Sequence, residues 1–123
     1  MKMDLLAYWR YDNYLRDIDE GAGFHFNSNQ SRLHTAIHAG ERLWLFTRVV
    51  NAGNSEYRLL ARLNMIAKTI NAPDYQYGPY RVWGDTASSR YFKVTQDSKD
   101  DIFELLRLLD FEGASLHDKD RTS

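Results

Sequence analysis

The sequence predicts an α+β domain built mainly of strands, and three stretches carry that reading. Glu41–Val50 (ERLWLFTRVV) is extended in pattern and apolar on both faces, with Leu43 and Leu45 on one side and Trp44 and Phe46 on the other. A strand covered on both sides belongs inside a sheet, or in a barrel with a helix packed outside it. Glu56–Lys68 alternates with period two: Tyr57, Leu59, Ala61, Leu63, Met65 and Ala67 face one way. Arg58, Arg62, Asn64 and Lys68 face the other, with Leu60 and Ile66 among them, which predicts a half-buried strand with a basic outer face. Tyr75–Phe92 (YQYGPYRVWGDTASSRYF) crowds aromatics, Arg81 and Arg90 around Gly78, Pro79 and Gly84. Tyr, Trp and Arg are the side chains that stack on flat ligands and hold anions, although a small β-rich core also consumes large aromatics.

Taken in order, Met3–Trp9 (MDLLAYW) is apolar, bounded by charges and too short for a helix, and predicts a buried first strand. Asp12 or Asn13 is placed to cap a short helix with Leu15 and Ile18 on its apolar side, stopped by Gly21 and Gly23. Phe24–Gln30 (FHFNSNQ) reads as a loop whose amides favour turns and can also read a base edge. A helical turn over Ser31–His38 ends at Gly40, and Asn51–Ser55 (NAGNS) is a hairpin loop. Short strands are expected at Arg81–Trp83 and Arg90–Val94. Ser98 then caps a last helix with Asp101 at the capping-box position and an apolar face of Ile102, Phe103, Leu105, Leu106 and Leu109, ending at Gly113.

Composition bounds the function. The 123 residues suit one domain, residues 1–112, followed by a flexible polar tail over residues 113–123. Absence of Cys removes disulfides, thiolate metal sites and a cysteine nucleophile. No apolar run approaches a membrane span, and the opening MKMDLLAYWRYD lacks a signal-peptide layout, so a cytoplasmic protein with no membrane partner is expected. A formal net charge of -1 argues against affinity built from many phosphate contacts. Acidic residues gather at both ends and arginines in the middle, which leaves room for a local basic face.

Catalytic and metal signals are weak. His34 and His38 are spaced for one helical face, but no adjacent Glu and no third ligand accompany them, so no metal is expected. Gly21-Ala22-Gly23 is too short for a phosphate loop, Ser88 and Ser89 have no general base, and Asp17, Asp19 and Glu20 read as a solvated face. Neither a cofactor nor catalysis is required by any motif.

The order of elements resembles the PUA-like superfamily, and most closely its EVE-type domains. The resemblance rests on the first strand ending in Tyr8-Trp9, the Asn27-Ser28-Asn29-Gln30 segment, the Gly40-Glu41 pair before LWLFT, and the strand YRLLARLNMIAKTI running into the Asn71–Tyr75 loop. It covers most of residues 3–111. It implies a small PUA-like (EVE/ASCH-type) mixed β-barrel flanked by short helices, and a non-catalytic module that reads a modified, flipped base in DNA or RNA. It also implies nucleic acid as partner, with a nuclease effector alongside in a modification-dependent restriction or defence system. The YGPYRVWGD stretch and the lack of an arginine inside the Phe/Asn loop depart from that family pattern.

A flipped base needs stacking partners and polar groups for its edge. Trp9, Phe26, Tyr77, Tyr80 and Trp83 are candidates to stack, and Asn27, Ser28, Asn29, Gln30 and Asp85 to hydrogen-bond. Arg48, Arg62, Lys68, Arg81 and Arg90 are candidates for flanking phosphates. Two alternatives compete. One is an ASCH-like hydrolase of RNA or nucleosides acting through Lys68, Asp85, Arg81 and Tyr80. The other is a protein-interaction domain whose aromatics are simply core.

Overall fold

The computed structural model describes residues 4–21, 23–51, 53–92 and 111–112. Their order is β1 (Asp4–Tyr8), α1 (Tyr11–Glu20), β2 (His25–Ser28), α2 (Ser31–Ala36), β3 (Arg42–Asn51), β4 (Asn54–Ile70), β5 (Tyr80–Gly84), β6 (Arg90–Tyr91) and β7 (Phe111–Glu112). The strands form one mixed sheet in the order β2-β5-β4-β3-β1-β7, with β6 also on β4. β1 runs parallel to β3 and β7, and the other pairs are antiparallel.

The α+β class and the short helices stand, but the closed barrel does not: among the described residues no ladder joins β2 to β7. Side chains instead join β2 to the segment after β1. Trp9, which follows β1, meets Phe26 of β2 edge-on at 5.4 Å and Tyr14 of α1 at 5.3 Å. These three share one buried cluster with Leu5, Leu43, Leu45, Leu63 and Val82. Leu6, Trp44, Phe46 and Leu59 are buried as well, on the other side of β1, β3 and β4 by register, as a strand apolar on both faces requires.

The plain alternation expected of β4 fails at two bulges. Leu45 and Phe46 pair with Ala61 and Leu59, so Leu60 is an extra residue; Gly84 and Trp83 pair with Met65 and Ala67, so Ile66 is another. Each bulge exchanges the faces beyond it. Arg58, expected outside, therefore lies opposite buried Thr47 and is itself buried, held by Glu56 and the Tyr57 carbonyl. Leu60 joins the core, whereas Ile66 stays 55% exposed.

Both helices differ in detail from expectation. Arg10, not Asp12 or Asn13, stands at the N-cap of α1, and no side chain caps that end. Asp12 instead accepts from Arg10 and from the Asn13 N–H. The helix turns Tyr14 and Asp17 inward and leaves Leu15 and Ile18 exposed. Gly21, with φ 65°, closes it in the left-handed conformation that glycine adopts most readily. The Phe24–Gln30 loop is largely strand, because β2 finds β5 as its partner. The expected last helix falls on residues outside those described, except that Phe111–Glu112, within its expected span, is a strand beside β1. No helix among the described residues is long and apolar enough to cross a membrane.

The bulges make a direct prediction. Leu60→Ala should lower the unfolding free energy by about 2–5 kcal/mol, as for a buried leucine. Ile66→Ala should change it by no more than about 0.5 kcal/mol. Urea denaturation of the two variants checks this, since plain alternation would treat both residues alike.

Candidate functional site

β2 and β5 are paired so that His25 lies opposite Trp83 and Asn27 opposite Arg81, all on one face. From this face a closed circuit of side chains can be traced. The Trp83 and His25 rings are 5.3 Å apart, and His25 Nε2 is 3.8 Å from Asp17 Oδ1. Arg16 donates to Asp17 at 2.8 Å and lays its guanidinium 3.1 Å from the centroid of the Tyr77 ring. Tyr77 meets Tyr75 at 5.6 Å, and Arg81 lies over both Tyr75 (5.6 Å) and Trp83 (5.1 Å).

Asn27 sits inside the circuit. Its Oδ1 accepts from Arg81 Nε at 2.6 Å and from Asn71 Nδ2 at 2.9 Å. Asn71 Nδ2 also donates to the Gly78 carbonyl, so both amides have one consistent orientation. That leaves Asn27 Nδ2 as a donor without a partner, and it is buried. His25 Nε2 and Asp17 Oδ2 are in the same condition. The three residues are only 8%, 0% and 1% exposed. Unmade hydrogen bonds of this kind cost about 1–3 kcal/mol each, and a functional role is one reason a fold retains them.

The charges are fixed by their surroundings. Burial pushes the Asp17 carboxyl upward, but His25 and Arg16 outweigh it and hold its pKa below the ordinary value. Burial raises the nearby Tyr91 phenol to about 12, with the Asp17 charge and Tyr14 adding to the effect.

The loop after β4 is fastened to β2 by close contact. Gly78 has φ 108°, and a Cβ there would stand 2.3 Å from the carbonyl carbon and oxygen of Ser28. This approach and the Asn71 bonds hold Tyr75 and Tyr77 beside Asn27.

Of the side chains expected at a base pocket, Asn27, Tyr77 and Trp83 come together here, joined by Arg81 from the expected phosphate set. Trp9 and Phe26 do not; they are 3% and 2% exposed within the core. Ser28 accepts from the Gln30 N–H, with Asn29 and Gln30 exposed at the tip of that turn. Tyr80 stands on the opposite face of β5, against His34 at 5.1 Å. Asp85 caps its own turn, accepting from the Ser88 N–H and hydroxyl.

The expected phosphate set disperses. Lys68 donates to the carbonyls of His34, Thr35 and Ile37 and so caps α2. Arg62 donates to the Ser88 carbonyl beside the Trp44 indole, Arg90 to Ala87 and Ser89, and Arg48 is exposed on β3. Among the described residues no group of three or more His, Cys, Asp or Glu is placed to hold a metal.

Arg16, Asp17, His25, Asn71 and Tyr75 complete the site and were not among the expected residues. Asp17 had a readable signal: Tyr14 and Asp17 are three apart and share a helix face with Tyr91 and Trp9 above it. His25 alternates with two phenylalanines in a pattern fit for a strand.

The fold and site define a small mixed-sheet α+β protein with an aromatic, arginine-flanked polar centre at the β2–β5 end. No protein-family model and no curated protein matches the chain. The chemistry of the site therefore has to carry the functional reading.

Two measurements probe this geometry. Gly78→Ala should lower stability by about 2 kcal/mol or more, since it adds both a backbone clash and an unfavourable φ; thermal unfolding reads it. In an alkaline absorbance titration one tyrosine should resist ionisation until about pH 12, and Tyr91→Phe should remove that phase. The unfolded phenol ionises first, so stability should decline as pH rises from the ordinary phenol value of 10.0 towards 12. Asp17 acts in the opposite range: its contribution is present above the ordinary carboxyl value and is lost as pH falls through the lower folded-state pKa.

Proposed function

We propose that this chain is a non-catalytic nucleic-acid-binding module that takes one unstacked base, plain or modified, into the circuit around Asn27. The observation that carries this reading is the coincidence of flat rings and guanidiniums with three buried polar atoms that lack partners. Rings supply stacking worth about 1–3 kcal/mol per base. Buried donors and acceptors supply the edge contacts that a flipped base requires. Two guanidiniums at the rim suit the phosphates on either side.

The charge arrangement separates this from other uses of an aromatic site. A cage for a methylated ammonium needs rings and carboxylates without competing cations, and Arg16 and Arg81 both lie on the rings. A phosphate seated at the floor would face the Asp17 carboxylate. A neutral flat group inside, with anionic charge outside, satisfies both constraints. The EVE-like order of elements points the same way, and a nuclease effector and a cytoplasmic setting are the corresponding proposals for partner and place. The hydrolase alternative rests partly on Lys68 and Asp85, whose polar atoms here are engaged in capping.

Fluorescence anisotropy with short single-stranded and mismatched DNA and RNA, plain and base-modified, tests the reading. Binding should weaken with salt. Trp83→Ala and Arg81→Ala should each reduce affinity about tenfold or more while each variant still unfolds in one cooperative transition. Absence of binding by every oligonucleotide at low salt would remove the proposal.

A further inference from the structure

Arg62 of β4 and Arg90 of β6 lie directly opposite each other in register. Arg62 is also opposite Trp44, on the face of the sheet turned away from the main core cluster. Side chains so paired leave the sheet with Cβ atoms about 5 Å apart, and like charges there are destabilising. Both guanidiniums are tied to the same loop. Arg62 donates to the Ser88 carbonyl at 2.8 Å, and Arg90 Nη1 donates to the carbonyls of Ala87 at 3.2 Å and Ser89 at 2.8 Å. Three successive carbonyls thus hold two like charges side by side.

The neighbouring carboxylates leave that pair uncompensated. Asp4 is engaged with Arg42, which bonds it through Nε at 2.7 Å and Nη2 at 2.9 Å, and with the Trp44 indole. Asp85 accepts from the Ser88 N–H and hydroxyl. Among the described residues no carboxylate forms an ion pair with Arg62 or Arg90. Donors remain on both: Arg62 Nε is without a partner, and Arg90, exposed, bonds through Nη1 alone. The loop beneath them is firmly built. Ser89 is fully buried, its hydroxyl accepts from the Asn64 N–H, and its own N–H donates to the Asp85 carbonyl. A Cβ on Gly84 would stand 2.5 Å from that hydroxyl.

We propose that Arg62 and Arg90 form a clamp for a doubly charged phosphate group, either the terminal phosphate of a nucleic acid or a free phosphate. Guanidinium forks match phosphate oxygens, and one dianion offsets both charges and their mutual repulsion. A carboxylate or an internal phosphodiester brings one charge and leaves one arginine uncompensated. The clamp stands on β4 and β6, whereas the circuit around Asn27 is built from α1, β2, β5 and the loop after β4. It therefore does not rest on the base-reading function above.

Isothermal titration of the wild-type protein with inorganic phosphate, and with one oligonucleotide carrying either a 5′-phosphate or a 5′-hydroxyl, tests the clamp. Inorganic phosphate should bind wild type and not Arg90→Gln, a substitution at an exposed position. The second ionisation of a phosphate ester lies near pH 6, so binding should weaken from about pH 7.5 to about pH 5 as the dianion is lost. A 5′-phosphate that improves oligonucleotide affinity about tenfold or more, an advantage absent from Arg90→Gln, assigns the clamp to a nucleic-acid end. Binding of inorganic phosphate without that advantage assigns it to a free phosphate. Wild type that neither binds inorganic phosphate nor distinguishes the two oligonucleotides, or an Arg90→Gln variant that behaves as wild type does, would overturn the clamp. Failure of the 5′-hydroxyl oligonucleotide to bind bears on base reading alone and leaves the phosphate result standing as support.

Discussion

Strand β4 carries the hydrogen bonding of both halves of the sheet. Residues of its first part pair with β3, and residues beyond Met65 pair with β5, on which β2 depends in turn. A straight strand of this length would keep one face apolar throughout. The two extra residues, Leu60 and Ile66, divide it into three segments whose faces alternate. The first bulge buries Arg58, and the second brings Lys68 under α2 while its neighbour Thr69 accepts from the Trp83 indole. The placement of the polar centre is thus a consequence of backbone irregularity in a strand whose Thr69 bonds to the Trp83 indole at its border.

Burying an aspartate, a histidine and an asparagine side by side is unfavourable unless they satisfy one another, and here they do so only in part. Arg16 neutralises one oxygen of Asp17, and Arg81 and Asn71 saturate one end of Asn27. The remaining atoms keep their hydrogen-bonding capacity. The neighbouring contacts are arranged to hold these groups in place. The Gly78 approach to Ser28, the Asn71 bridge and the Trp83–Thr69 bond fix three different elements around β2.

The sequence announced most of the elements and only part of the site. Apolar residues on both faces located β3, period-two patterning located β4, and the Asn- and Gly-rich NAGNS segment located the hairpin between them. It could not locate the bulges, since an inserted residue leaves the local composition unchanged, and so Arg58 was assigned to the wrong face. Phe24–Gln30 resembled a loop because its amides dominate the composition, yet β2 is held by pairing with distant β5. Asn27, Tyr77, Trp83 and Arg81 were visible as ligand-binding residue types. Asp17 was hidden by helix phase: three acids within four residues look solvated until Tyr14 shows which side turns inward. Lys68 and Asp85 misled because a cation or carboxylate that caps backbone carbonyls or amides is indistinguishable by type from one that meets a ligand.

The pairing of His25 with Trp83 has a kinetic meaning beyond its place in the site. β3 and β4 are joined by a tight hairpin, so they can meet early with little loss of chain entropy. β2 and β5 are separated by α2, the β3–β4 hairpin and the loop after β4, and their ladder closes the largest loop among the strand pairings inside residues 4–92. The polar centre is therefore assembled late in folding. By the same logic it belongs to the part of the sheet that opens most readily, where exchange of backbone amides will be fastest. Whatever occupies that centre acts as a fastener on the last-closing edge of the protein, and occupancy and local order become one equilibrium.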